Sequence, residues 1–282
     1  MILVVGAHGF LGRRVVRALD VAGMECLSAS HDGEADLQVN LSWPVENLEL
    51  PDGVTHAVIL SSITAMDECF QDPERTARFN VTHTIQLIEL LIAQGVTPVF
   101  ISSDVVFDGA RGNYREQDPA IPVTKYGEQK RAVETFLEQN APNHLIVRLG
   151  KLYTLADDDN SPVRGLVSSL AKGEGARAAI DQFLTPTLAE EVADGIVELI
   201  KMKGRGVYHL TPVEGGALTR FDMALGVADV VGADRLLVSP CSIHDFDFAE
   251  PRPVNCTLNG EKFRAFTGMH LTPFRDAVQG PT

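Results

Sequence analysis

The sequence predicts an α/β fold, a doubly wound parallel sheet with a smaller C-terminal α/β lobe. Three observations carry this. Short apolar runs alternate with helix-length amphipathic stretches through the first half of the chain. The runs are continuously apolar, as suits strands covered on both faces, and do not alternate with polar residues. The first run leads straight into a glycine-rich turn that opens a helix.

In chain order, "MILVV" is the first strand and "FLGRRVVRALDVAG" the first helix, with Val15, Val16, Leu19 and Ala22 at helical spacing and Gly23 as its stop. "CLSAS" is the second strand and "HAVILSS" the third. A long helix over "ERTARFNVTHTIQLIELLIAQG" closes at Gly95. "PVFISS", a helix over 125–140 and "HLIVRLG" follow. Residues 1–152 thus form a Rossmann-like dinucleotide-binding domain, completed by a helix and strand returning within about 186–210. The remainder of 153–282 reads as a smaller substrate lobe of short elements joined by turn-rich segments such as "LADDDNSPVRG" and "AEPRPVN".

At 282 residues and 45% hydrophobic, the chain suffices for one large domain or one and a half. A net charge of -14 argues against nucleic acid as a partner, since that needs a basic footprint. Cys26, Cys69, Cys241 and Cys256 have no close spacing, so reduced thiols and a cytoplasmic location are the expectation. No apolar stretch approaches a bilayer span, so no membrane association is expected. "MILVVG" lacks the basic flank of a signal peptide. The histidines are scattered without metal-ligand spacing, and "DDDN" (Asp157 to Asn160) reads as a solvated loop. A homodimer is the default oligomer.

The turn "VVGAHGFLGRRVV" spaces Gly6, Gly9 and Gly12 three apart. The first glycine permits the tight turn and the second lets backbone approach a pyrophosphate. The third lets helix and strand pack closely, with the helix N-terminus facing the anion. His8, Phe10, Leu11 and Arg13 complete this cofactor loop. At the end of the second strand, "SASHDGE" puts Ser28, Ser30 or His31 nearest a ribose, with Asp32 slightly late. With Arg13 in reach of a 2′-phosphate, this favours NADP(H) and leaves NAD open.

"KYGEQKRAVETFLEQN" (125–140) sets Gly127, Glu128, Arg131, Glu134, Thr135 and Glu138 on one face and Val133, Phe136 and Leu137 on the other. Tyr126 and Lys130 fall on the inward stripe, one turn apart. Lysine is seldom buried without a purpose. Ser102 and Ser103 end a buried strand, at the sheet edge where such folds bind ligands. A carbonyl accepting hydride gains negative charge on oxygen and needs a proton donor beside it. A phenol titrates near 10, so a neighbouring ammonium is expected to favour its phenolate.

Together these residues resemble the extended short-chain dehydrogenase/reductase superfamily, and most of all its dTDP-4-dehydrorhamnose reductase family, a relative of the methionine adenosyltransferase regulatory β-subunit. Besides "GAHGFLG", the likeness runs through "MDECFQDPERTARFNV", "ISSDVVFDG", "YREQDPAIPVTKYGEQK", "IVRLGKLY", "DQFLTPTLAEEVADGI" and "RPVNCTLNGEKF". It implies an NAD(P)H-dependent reductase of a nucleotide-activated 4-keto-6-deoxysugar. Tyr126 is then the proton donor, Lys130 its electrostatic partner and ribose anchor, and Ser103 the hydroxyl of the triad. Ser61, Ser62, Thr64 and Ser102 fall beside the cofactor. Thr64, Ser103, Asp104, Val105, Lys151, Gln182, Thr185 and Arg252 fall beside the substrate, with Pro186 in the region that closes over it.

The chain departs from the family at its specificity positions. Val105 stands where a tyrosine is usual, Lys151 where the rhamnose-pathway enzymes carry a tryptophan, and Leu184 where a small residue is usual. Ser61 and Ser62 replace a pair of alanines. Two alternatives stay open on sequence alone, a cofactor-retaining epimerase or dehydratase and a non-catalytic cofactor-binding regulatory subunit.

Overall fold

In the computed structural model, which describes residues 1–31, 33–156 and 163–279, the apolar runs become strands of one parallel sheet. Asp32 and the "DDDN" loop lie outside the described residues. The strands β1 (Ile2–Val5), β2 (Cys26–Ser30), β3 (Leu37–Gln38), β4 (His56–Ile59), β5 (Thr97–Ser103) and β6 (Leu145–Leu149) come first. Short ladders follow: β7 (Leu152–Tyr153) with β10 (Thr187–Leu188), β8 (Ala176–Ala179) with β13 (Val238–Cys241), and β9 (Phe183–Leu184) with β12 (Leu218–Thr219). The strand β11 (Gly206–His209) returns to the main sheet, whose order is β11-β6-β5-β4-β1-β2-β3.

Helices cover both faces, which is why the strands carry no polar alternation. On one face α1 (Phe10–Val21) and α7 (Ala189–Lys201) bury Val15, Leu19, Val192 and Ile196 against Val4 and Val147. On the other, α4 (Thr84–Ala93) and α5 (Lys125–Asn140) bury Leu87, Leu91, Val133 and Leu137 against Leu3 and Ile146. Each such side chain contributes about 1.5–3 kcal/mol by leaving water. A separate apolar cluster joins Tyr153, Leu170 of α6 (Arg164–Ala171), Met223 and Val227 of α8 (Arg220–Val231), and Phe274.

Three local expectations are corrected. The long helix expected over 74–95 is interrupted: α3 (Pro73–Ala77), a π-helical turn over Arg78–His83 and α4 occupy it, with a separate short α2 (Met66–Gln71) before it. Ala22 is exposed, because it caps α1 instead of packing beneath it. Gly127 and Glu134 of α5 are buried, not on an outer face. A Cβ on Gly127 would collide with the Val105 carbonyl oxygen, and Glu134 has a buried partner in Arg148.

The strand order sets the position of the site. From β1 the chain winds outward through β2 and β3, then crosses to β4 on the other side of β1 and winds away to β11. The two windings separate at the carboxyl ends of β1 and β4, and a crevice opens there.

Candidate active site

A cavity of about 920 Å³ occupies that crevice. One end is the glycine loop. Gly6 has φ +87°, a left-handed conformation that favours glycine, and a Cβ there would meet Ser61 Oγ at 2.8 Å. A Cβ on Gly12 would overlap the Gly6 carbonyl oxygen, so the third glycine is required for α1 to pack this close. Gly9 is exposed on the loop and caps α1. His8, Phe10, Leu11, Ser30, Ser61, Ser62, Thr64 and Ser102 all line the cavity.

Arg13 is exposed and is not among the residues lining this cavity. The residues that accompany Ser30 there are His31, Asn40 and Ser42, of which the last two escaped sequence reasoning. They follow the short edge strand β3, and only its pairing with β2 carries them to the site.

The other half of the cavity holds the phenol and the ammonium. Thr124 caps α5 by accepting from the Gly127 amide at 3.1 Å, which starts the helix immediately before Tyr126. Tyr126 and Lys130 are 8% and 5% exposed. Lys130 Nζ donates to the Ile101 carbonyl at 2.9 Å, 4.7 Å from the centroid of the Phe100 ring and 5.6 Å from that of Tyr126. Burial pulls the ammonium down to about 8. Burial also pushes the Tyr126 phenol well above its ordinary range, and the Ser62 hydroxyl is the group that opposes this.

Lys130 Nζ thus bonds a main-chain oxygen, with the Tyr126 ring as its neighbour. Burial favours the proton-bearing form of the phenol.

Ser103 Oγ donates to Asp104 Oδ1 at 2.9 Å. Burial pushes the Asp104 carboxyl up to about 6, against the pull of that hydrogen bond. Ser102 Oγ is buried with no hydrogen-bond partner among the described residues. Behind Ser62 stands Asn80, another residue missed as a site residue. Its Oδ1 accepts from Ser62 Oγ at 3.1 Å and from the Ile63 amide at 2.8 Å, while its Nδ2 donates to Gln129 Oε1 at 2.7 Å. Asn80 lies in the π-helical turn, a distortion common at functional sites.

At the substrate end Asp104, Val105, Lys151 and Gln182 line the cavity together with Leu184. Thr185 stands behind the wall, where a Cβ on Gly150 would meet its Oγ1 at 2.6 Å. Arg252 lines an adjoining opening of about 530 Å³ instead. It is committed to Asp67 of α2 and lies 3.6 Å from Glu250, so it joins two chain segments before it meets any ligand. Arg220 is the arginine that lines the main cavity. Its position at the start of α8 gave no sequence signal beyond that of a surface helix.

A glycine loop under a parallel sheet, with a buried Tyr-x-x-x-Lys pair across the crevice, defines an extended short-chain dehydrogenase/reductase. The whole-chain comparison is specific: residues 1–280 match the RmlD substrate binding domain family, and the chain belongs to that family. It is 29% identical over 267 residues to a probable low-salt glycan biosynthesis reductase of Haloferax volcanii, covering 91% of this chain and 88% of that protein. It is likewise 29% identical over 278 residues to the dTDP-4-dehydrorhamnose reductase of Salmonella typhimurium, covering 93% and 90%. The fold is similar to that of a Bacillus anthracis dTDP-4-dehydrorhamnose reductase solved in complex with NADP, with a TM-score of 0.85 at 19% identity over 99% of this chain and 96% of that one.

Proposed function

We propose that the chain is an NADPH-dependent reductase of a nucleotide-activated 4-keto-6-deoxysugar, similar to dTDP-4-dehydrorhamnose reductase. One observation carries the reading: a proton-bearing, buried Tyr126 shares with the glycine loop a single cavity that also includes Ser103 and Lys130. The relatives named as reductases of this substrate class support it. The residues present fit the cofactor. The orphaned Ser102 hydroxyl faces the cavity, and Lys130 has two N–H groups to spare after bonding Ile101. Ser30, His31, Asn40 and Ser42 would hold the adenosine ribose, and we favour NADP over NAD there.

When bound, the reduced nicotinamide supplies a hydride to the carbonyl carbon. Tyr126 gives its proton to the carbonyl oxygen, and Ser103 steadies that oxygen by donating a hydrogen bond. The phenolate left behind is disfavoured by burial, and the Lys130 ammonium over its ring is the nearest compensating charge. In this reading residues 1–152 with 186–210 hold the cofactor, and the rest of 153–282 holds the sugar nucleotide. A cytoplasmic location is supported by four unpaired thiols. A symmetric dimer rests on the general prevalence of such pairs.

The test is turnover. Purified protein is given NADPH and a panel of dTDP-, GDP- and UDP-linked 4-keto-6-deoxysugars, and absorbance at the reduced nicotinamide band is followed. NADPH is consumed with at least one substrate, and Tyr126→Phe lowers kcat by about 10²-fold or more. Tight cofactor binding with no consumption in any arm would replace this reading with that of a regulatory subunit.

A further inference from the structure

Two cations from distant parts of the chain reach the substrate end of the cavity. Lys151 comes directly after β6 and Gly150, and Arg220 opens α8. Both residues are half-buried, and burial pulls each cation below its ordinary range, the condition under which a cation seeks a counter-charge. Neither has one. Lys151 makes no side-chain hydrogen bond or ion pair among the described residues. Arg220 is oriented through its Nε, which donates to Gln182 Oε1, while Gln182 Nε2 is tied to the Pro253 carbonyl at 3.2 Å. That leaves the Nη edge of Arg220 without a partner among the described residues.

The charge balance on this wall is positive. The Lys151 ammonium is held below its ordinary range first by burial and then by the charge of Arg220, so the two cations repel each other. The Asp104 carboxyl is the counter-charge felt by both. Asp104 is a poor one: it already accepts a hydrogen bond from Ser103 and makes no ion pair with either cation among the described residues. An uncompensated pair of cations in a cleft is stabilised when an anion arrives. Val105 and Leu184, on the same wall, provide apolar surface and no competing charge.

We propose that Lys151 and Arg220 form an anion seat for the substrate, and that Lys151 sets specificity by requiring anionic oxygens at this wall. The proposal rests on the reading of the cavity as a sugar-nucleotide site. Two parts of such a substrate carry that chemistry, a carboxylate on the sugar ring and the diphosphate. Lys151, next to Gly150 and facing Asp104, selects between substrates, and Arg220 is the partner that Gln182 holds in place.

The experiment is calorimetric binding to the NADP-loaded full chain, which reads the seat without requiring turnover. The probes are UDP-glucose, UDP-glucuronate and the nucleoside diphosphates UDP and dTDP. They are titrated into the native protein, Lys151→Met and Lys151→Arg, with NADP affinity measured in each as the check on folding. A ring-carboxylate seat gives UDP-glucuronate at least tenfold tighter than UDP-glucose, a preference lost in Lys151→Met and restored in Lys151→Arg. A diphosphate seat gives an equal loss, tenfold or more, for all four probes in Lys151→Met, again restored by arginine. Affinities that do not change in Lys151→Met, or no binding of any probe to the NADP-loaded protein, overturn the proposal. Reduction of keto-sugars by that same protein would leave the reductase reading standing.

Discussion

Glu134 on α5 and Arg148 on β6 meet in a buried two-point ion pair, Nε to Oε1 at 2.9 Å and Nη2 to Oε2 at 2.8 Å. Their side chains are 0% and 3% exposed. The guanidinium also lies over the Phe107 ring, 5.0 Å from its centroid. His209 is beside it, held neutral down to about 3 by burial and by the charge of Arg148. The pair fastens the helix of Tyr126 and Lys130 to the strand that leads into Gly150 and Lys151. Removing Glu134 leaves the Arg148 charge buried and without its carboxylate. Glu134→Ala is expected to lose about 3–5 kcal/mol in urea denaturation, and Glu134→Met with Arg148→Met to recover much of it. Additive losses in the double variant would contradict this account.

Gly12 is where the first helix touches the glycine loop. Its missing side chain admits the Gly6 carbonyl oxygen. Gly12→Ala must move that loop, at a cost of about 1–3 kcal/mol in packing. NADPH affinity, measured by fluorescence titration, is expected to fall by about tenfold or more, because the displaced backbone is the part facing the phosphates. Unchanged affinity would remove Gly12 from the cofactor site.

Lys130 links activity to pH. Its ammonium is pulled by burial from an ordinary 10.5 to about 8. Below about 8 the charge is present beside Tyr126; above it the folded protein holds an amine. The profile of kcat/KM is expected to fall on the alkaline side of about pH 8. For stability the sign is opposite. Between about 8 and 10.5 the unfolded chain binds more protons at this site than the folded one, so stability gains from Lys130 as pH rises through that window. The gain is absent in Lys130→Met. Denaturation of the two proteins at pH 7.5 and 9.5 checks it, and equal pH dependence would contradict it.

Arg252 acts as a clasp. It pairs with Asp67 of α2, whose carboxylate also accepts from the Ala249 amide at 3.0 Å. Next to it, the buried Glu250 accepts from the Lys125 amide at the start of α5, at 3.0 Å. Arg252→Ala leaves Glu250 without its neighbouring cation and is expected to lose about 1–3 kcal/mol. KM for the sugar nucleotide should rise more than KM for NADPH, since the clasp holds the segment that runs past Pro253 on the cavity wall. Equal effects on both constants would mean a general loss of folding alone.

Much of this was legible beforehand where the signal is local. Gly6 needs φ +87° and Gly12 needs the absence of a Cβ, and both demands show as glycines at a strand–helix junction. Tyr126 and Lys130 show as polar residues on an apolar stripe. Glu134 misled for the same reason: a helical wheel marks a charged residue as outward, and the arginine that meets it lies on another element. Asn80 was hidden in a helix that reads as regular, its π turn invisible in the spacing.

By itself, the sequence determined the winding of the sheet, the place of the glycine loop and the one-turn spacing of phenol and ammonium, because each follows from bonded neighbours and residue period. Tertiary structure alone decided what surrounds them. It turned Lys130 toward Ile101, set Arg220 rather than Arg252 in the main cavity, kept Arg13 off its wall, and put Asn40 and Ser42 on it. Those outcomes depend on segments far apart in the chain coming within a few ångströms, where burial and charge act on residues whose sequence neighbours say nothing about either.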